Sequence, residues 1–345
     1  MRPIKMPGKM NRFTKKAGLS LIILLILSCS SYQITKISIL VPGEVEFPPG
    51  VHRISLLLLK NEHNMPAGRL DSIDNMTLDP GFNYYQYAWE YLYGLQDGLK
   101  ESPRFERIKI SRLNEMNSAG NKSEYDWREI IRICKTDTTD ALILIYDFCL
   151  DDSLKVNDWM AGYNVVYELK NKISYDVLNP RMQQITGRYI LTNQNKWSGL
   201  DISFEDALDQ LPAGEDMILQ SCYETGLKAG LTMAPSWNDN IRRIYYTRGN
   251  RLLSRGASYA KQEMWREAAN YWRMAADSKK ARNSAKAAFN MALACEIEDK
   301  LDLANDWILL ADSLKSDRFS ILYQQIIKTR LKYEKMLDKQ LEFEE

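Results

Sequence analysis

Histidine is almost missing from this chain: His52 and His63 are the two present. A catalytic triad or a His-based metal site would have to draw on one of them. Cysteine is sparse as well, five in 345 residues, and no two stand as Cys-x-x-Cys. Cys134, Cys149, Cys222 and Cys295 are each flanked by apolar or helical sequence, the common setting of a buried thiol. An exported protein could pair them, although a domain of this size needs no such staples. The sequence also lacks a Gly-rich phosphate loop, a Gly-x-Ser-x-Gly elbow and a His-Glu-x-x-His pair. No catalytic residue, metal site or cofactor is expected from these patterns.

Long apolar runs are absent too. The strongest, residues 19–27, is nine residues, whereas spanning a bilayer as a helix takes roughly 20. Six cations (Arg2, Lys5, Lys9, Arg12, Lys15 and Lys16) and no acidic residue precede Cys29. A basic n-region, an apolar core and a small residue at the cut make a secretory signal over residues 1–28. Met6 or Met10 would serve equally as a start. The leader holds six of the 46 Lys and Arg and none of the 45 Asp and Glu, leaving 40 against 45, net −5. A mildly acidic body argues against a nucleic-acid partner, which calls for a basic stripe.

Ile26-Leu27-Ser28-Cys29 resembles the lipobox of bacterial lipoproteins, with Ile26 where Leu is commonest. The resemblance implies cleavage before Cys29, lipidation of that residue and a membrane partner through the lipid. Ser30 is not the Asp that retains many lipoproteins in the inner membrane, and residues 30–33 lack an acidic export cluster. By that resemblance the chain is expected at the outer membrane, facing the periplasm, on a short tether of residues 29–33.

Beyond the tether the length suits two domains. Residues 34–232 read as an α/β domain with a mixed sheet. Residues 34–41 suggest a strand, and 54–59 is a continuous apolar run of the kind buried on both faces. Residues 61–83, with Pro66, Gly68, Pro80 and Gly81, read as a long loop. Residues 84–100 have helical spacing, 105–110 alternate as a strand, and 125–134 form a short helix. Residues 141–150 are the second fully buried strand. Tyr163, Val165, Tyr167, Leu169, Ile173, Tyr175 and Val177 keep strict period two, and Asn179-Pro180 turns the chain into a hairpin partner at 184–192. Residues 212–231 close the domain as a helix.

Asp151, Asp152, Asn157 and Asp158 follow the buried strand. An EF-hand loop would need Gly at its sixth position and an acid at its twelfth, where Val156 and Gly162 stand. They read as a solvated loop. Trp159, Trp197 and the many tyrosines could stack on sugars or pack in the interior. The element order is similar to that of the small α/β domain of bacterial envelope proteins such as the TolB N-terminal domain and the penicillin-binding-protein activator lipoproteins. A fold likeness supplies no function by itself.

Past Pro235 the sequence reads as helix throughout, and a repeat can be scored. Residues 237–345 fit a tetratricopeptide-like all-α domain, a helix pair of about 34 residues with set large and small positions. Asn250, Leu252, Gly256, Tyr259, Ala268, Trp272 and Ala275 fall at signature points in the first repeat. Ala288, Ala292, Cys295, Ala304, Ile308 and Ala311 hold the same places in the second, with a two-residue insertion at Asn283-Ser284. Arg255 replaces the usual Leu, and Lys280 and Ser316 stand where the terminal Pro is usual. A plain helical bundle fits the periodicity alone. Residues 319–343 form a final helix that caps the stack.

In this repeat family the first helix of each pair lines a concave groove. Carried over, Asn250, Leu253, Ala257, Lys261, Lys286, Phe289, Leu293 and Glu296 would face it and hold a protein partner. Trp237, Tyr245 and Tyr246 are expected to fill the space where the tail docks on the α/β domain.

Residues 141–148, the run 234–237 with Arg243, Tyr245 and Tyr246, and residues 285–294 together resemble a family of uncharacterised bacterial envelope lipoproteins with an α/β body and a tetratricopeptide tail. That resemblance implies localisation and architecture only. The leading expectation is a non-enzymatic protein-interaction or envelope-assembly scaffold. The alternatives are glycan binding through exposed Trp and Tyr, or a hydrolase using carboxylates such as Asp147, Asp151 or Asp152.

Overall fold

A computed structural model describes residues 31–59, 84–111, 125–159 and 162–341. The leader, Cys29, His63 and the loop expected at 61–83 lie outside the described residues. In chain order the elements are β1 (Tyr32–Val41), β2 (Arg53–Leu58), α1 (Tyr84–Lys100), β3 (Arg107–Ile110), α2 (Trp127–Asp137), β4 (Ala141–Trp159), β5 (Gly162–Asn179), β6 (Gln184–Asp201), α3 (Phe204–Asp209) and α4 (Gly214–Met233). Then come β7 (Ser236–Tyr246), α5 (Arg251–Ala260), α6 (Trp265–Ala276), α7 (Ala281–Ile297), α8 (Leu301–Leu314) and α9 (Arg318–Leu341). A mixed α/β unit is thus followed by an all-helical region.

The chain divides into two compact units. One holds the described residues up to Ser38 with Asp239–Lys332; the other holds Ile39–Asn238 with the residues from Tyr333 on. The second unit is built on a five-stranded sheet of order β3-β2-β4-β5-β6. β2 runs parallel to β3 and β4, while β4, β5 and β6 are antiparallel. The apolar runs in β2 and β4 cover both faces, as strands sandwiched between helices must. Ile54, Leu56, Ile143 and Ile145 face one buried cluster with Tyr91, Leu95 and Ile218 of α1 and α4. Leu57, Leu142 and Leu144 face the other, with Ile130 and Cys134 of α2.

Helices α1 and α4 lie close enough for their backbones to touch. Gly98 on α1 meets Gly230 on α4, and Gly94 and Gly226 each face the backbone of the other helix. A Cβ at Gly94 would strike Tyr223 O, and one at Gly226 would strike Tyr91 O. Any larger side chain must push the helices apart, so the four glycines set their spacing.

The solvated loop expected after the second buried strand is a strand instead. β4 continues to Trp159, and β5 pairs with it along its length, Asp151 opposite Lys170 and Asp158 opposite Tyr163. Polar side chains there alternate across a hairpin, which neither charge nor turn residues betray in the sequence. β6 likewise runs past the expected 192 to Asp201.

The expectation that everything beyond Pro235 is helical also fails. β7 is a strand, and β1 pairs with it in a separate two-stranded sheet. Ser38 Oγ to Asp239 Oδ1 and Lys36 Nζ to Asn240 Oδ1 at one end, with Tyr245 OH to Gln33 Oε1 at the other, make the pair antiparallel. β1 begins at Tyr32, within the segment read as tether, and its residues up to Ser38 belong with the helices. The pairing was hidden because the partners lie about two hundred residues apart in the chain.

In the helical unit α5 packs on α6, α6 on α7, and α7 on α8. Glu263 and Asp299 both take the left-handed conformation, φ 60° and 57°, in the turns that end α5 and α7. In each turn a backbone N–H returns to the last helical turn, Met264 N to Tyr259 O and Lys300 N to Cys295 O. Gly256 admits the Trp272 ring, whose indole N–H donates to Leu253 O at 3.3 Å. Ala268, Trp272, Ala304 and Ile308 are fully buried at matching places in the two pairs.

Candidate functional site

The faces of α5 and α7 where the spacing places a partner groove are not open. Leu253, Ala257, Phe289, Leu293 and Glu296 are buried, Asn250 and Lys286 are half-buried, and Lys261 is exposed. β7 and the first part of α9 cover this face. Asn250 is engaged as the cap of α5, its side chain accepting from Leu253 N at 2.8 Å. An apolar first-helix face needs a cover, and β7 supplies it in cis.

Asn290, which the groove residues did not include, holds the strand. Its Oδ1 accepts from Tyr246 N at 2.7 Å, and its Nδ2 donates to Tyr246 O at 2.8 Å. One fully buried amide thus satisfies both backbone groups of a strand residue, as buried backbone requires. The rings of Tyr246 and Phe289 meet edge to face at 5.2 Å, and Tyr323 of α9 lies 5.0 Å from Phe289. Tyr245 packs at 6.0 Å from Trp272. Both tyrosines therefore belong to the helical unit's core rather than to filler against the α/β unit, and Trp237 is 57% exposed.

Below the clamp lies a buried ionic cluster. Arg243 of β7 makes a bidentate pair with Glu296 of α7, Nε to Oε2 at 2.8 Å and Nη2 to Oε1 at 2.6 Å. Tyr323 OH donates to the same carboxylate at 2.7 Å. Arg330 approaches Glu296 at 3.9 Å and pairs with Asp299 at 2.7 Å. Burial pulls the Arg243 guanidinium down, but the hydrogen bonds and charge of Glu296 outweigh it and hold the pKa above its ordinary value. Burial, and then Glu296, push the Tyr323 hydroxyl well up. Arg243 therefore keeps its charge near neutral pH, and Tyr323 keeps its proton. Its chemistry is that of a structural lock.

In the α/β unit the carboxylates proposed for hydrolysis do not converge. Asp151 and Asp152 are neighbours on a strand and point to opposite faces. Asp151 is exposed, whereas Asp152 faces Tyr167, whose hydroxyl is held above its usual range by burial and then by Asp152. Asp147 is approached by Ser174 Oγ at 3.4 Å. Among the described residues no three His, Cys, Asp or Glu gather as a metal set. Among the described residues Cys134, Cys222 and Cys295 are buried and Cys149 is half-buried. Burial pushes the Cys134 and Cys295 thiols up to about 11. Trp197 is half-buried against Tyr167, ring to ring at 5.8 Å.

Two polar clusters fix the extended hairpin. Asn171 of β5 donates to Ser221 Oγ at 2.7 Å and Thr225 Oγ1 at 2.9 Å on α4. On the other face Glu168 accepts from Lys155 and Lys196, both at 2.8 Å, and these bring its pKa to about 2.

The molecule so defined is a two-unit protein, a sheet flanked by helices and a set of stacked helical hairpins closed by its own strand. No helix among the described residues is long and apolar enough to cross a membrane. The chain belongs to the family described as a domain of unknown function (DUF8603), whose model matches residues 58–246. A second domain of unknown function (DUF6340) matches residues 254–339. No curated relative matches the chain.

Solved structures with some similarity include a PelC dodecamer from Paraburkholderia phytofirmans, at 5% identity over 58% of this chain and 98% of that one, TM-score 0.23. A neuraminyllactose-binding hemagglutinin homolog from Helicobacter pylori shares 10% identity over 53% and 82%, TM-score 0.27. TolB from Acinetobacter baumannii shares 11% over 59% and 32%, TM-score 0.18.

Proposed function

We propose that this chain is a lipid-anchored envelope protein, held through Cys29 at the outer membrane and facing the periplasm. It acts without catalysis, as a scaffold for protein partners. The leader and the Ile26–Cys29 pattern support the address. The recurring turns at Glu263 and Asp299, with Gly256 against Trp272, support a tetratricopeptide register for the helical pairs.

One observation carries the scaffold reading. Asn290, Arg243, Glu296, Tyr323 and Arg330, which gather inside the helical unit, bind one another or strand β7. A partner therefore meets outer surfaces rather than the concave face. Photo-crosslinkers at exposed Ile190, Leu200 and Met274 test this in cells. Discrete protein adducts support the scaffold; none at any of the three contradicts it. Cys29→Ala is expected to abolish fatty-acid labelling and free the chain from membranes, and labelling that persists refutes the anchor. Exposed Trp237 keeps a glycan-binding reading in view. A glycan array without hits would remove it.

A further inference from the structure

The described chain starts at one end of the helical unit. Ser31 O accepts from Thr247 N at 3.0 Å, just past the end of β7, and the Tyr32 ring lies 5.7 Å from Phe319. α5, α7 and α9 all begin at this end. Lys286 Nζ donates to Arg248 O at 2.9 Å, and Tyr246 OH donates to Asp317 Oδ2 at 3.0 Å. The first described residue therefore lies at the helical unit, and not at the α/β unit into which the tether was expected to lead.

The same end is basic. Arg251, Lys280, Arg282, Lys315 and Arg318 are exposed there. Among the described residues none of the five enters an ion pair. Half-buried Lys286 is close enough to Arg282 and Lys315 that, after burial itself, their charges lower its pKa. The carboxylates in these turns are Asp277, which is exposed, and Asp317, which is engaged by Tyr246 and by Ser320 N at 2.8 Å.

The placement of charge runs against local preference. The first turns of α2, α3, α4, α6 and α8 carry Glu or Asp, as the positive end of a helix dipole favours. Those of α5, α7 and α9 have none, and carry Arg251, Arg282 and Arg318 instead. Among the described residues no ion pair offsets the cations at these three neighbouring helix starts, which leaves them open to an anion from outside the chain. The aromatic pair Tyr32 and Phe319, and exposed Ile34 and Leu322, lie in the same segments as the chain's exit.

We propose that this basic end of the helical unit is a docking surface for anionic phospholipid, brought against the bilayer by the lipid on Cys29. The proposal rests on the anchored reading above and names the surface that the anchor presents. Charge complementarity identifies the partner, and the exit at Ser31 places the surface within a few residues of the acyl chains. Each basic residue near an anionic bilayer is worth about fivefold in partitioning.

The test uses the mature chain with Cys29→Ser, which keeps every described residue and removes the acyl chains. It is sedimented with vesicles of phosphatidylcholine alone, or with about a third phosphatidylglycerol. Binding to the anionic vesicles only, weakening as salt rises, is expected. The triple variant R251E/R282E/R318E should lower it on the order of a hundredfold, while exposed Lys328→Glu leaves it as in the wild type. Circular dichroism confirms folding; should the triple variant not fold, Arg282→Glu and Arg318→Glu singly should each lower binding by about fivefold. Equal binding to both vesicles, or binding untouched by the arginine variants, overturns the proposal. So does binding to neither, which would leave an acidic protein as the occupant. Fatty-acid labelling of the native chain separates the two claims: no label with anionic binding retained sinks the anchor and leaves the surface standing.

Discussion

The two units solve the problem of a buried interior in opposite ways. In the α/β unit β2 and β4 bury continuous apolar runs, and the closest helix contact is made by glycine against backbone. In the helical unit the alanine-rich hairpins leave a face that is closed by a strand, and that strand is held by Arg243, Glu296 and Asn290. Apolar burial is forgiving in detail and rewards area. A buried ion pair contributes little net stability but penalises any arrangement that leaves one charge alone. The helical unit therefore carries specificity for one strand, whereas the α/β unit carries bulk.

The contrast can be broken most forcefully at Glu296. Glu296→Ala leaves Arg243 buried without its partner and should cost about 3–5 kcal/mol. Denaturant unfolding followed by hydrogen exchange should show that loss in α7 and leave β4 protected. Replacing both partners, Arg243→Met with Glu296→Leu, should cost far less than either single change, since an apolar pair of similar volume removes the penalty. Equal losses in the single and double variants would mean that the pair does not act as a lock.

In the α/β unit the corresponding weak point is space. Gly226→Ala puts a methyl onto Tyr91 O and should lower stability by about 1–3 kcal/mol, read as a drop in the denaturation midpoint. Asn290→Ala in the helical unit leaves the Tyr246 amide and carbonyl unpaired and should cost about 1–3 kcal/mol. The two variants differ in where exchange accelerates, at α1 and α4 for the first and at β7 for the second.

The smallest effect is one of pH. Glu168 is held at about 2 by Lys155 and Lys196, below its ordinary value near 4.5. A carboxylate with a depressed folded-state pKa stabilises above its unfolded value and loses that contribution as pH falls through the folded one. Glu168→Gln should therefore melt slightly below the wild type at pH 7, and the two melting curves should converge as pH approaches about 2. A difference that persists or grows in acid would contradict the assignment.

Much of the architecture was legible in the chain. The apolar runs at 54–59 and 141–150, the period-two stretch at 163–177 and the recurring large and small positions from Leu252 to Ala311 each describe the face of one element. What escaped was whatever depended on distant partners. The polar end of β4 is a strand because β5 pairs with it, and β7 is a strand because β1 does. The glycines at 94, 98, 226 and 230 were visible as a repeated spacing of four, the one signal that could have placed α1 against α4. Most of the expected groove residues are buried, and nothing in their spacing says that the protein's own strand covers them. Asn290 lies one position from Phe289, and a lone Asn on a helix carries no pattern that would single it out.

The central claim is that β7 closes the concave face. Native-state hydrogen exchange of the Tyr246 amide tests it most directly, because that N–H donates to Asn290. Protection matching the core amides of α7 in the wild type, lost in Asn290→Ala without global unfolding, is the predicted result. A Tyr246 amide that exchanges at the rate of an open chain while α7 stays protected would mean that the face is free, and would contradict the account.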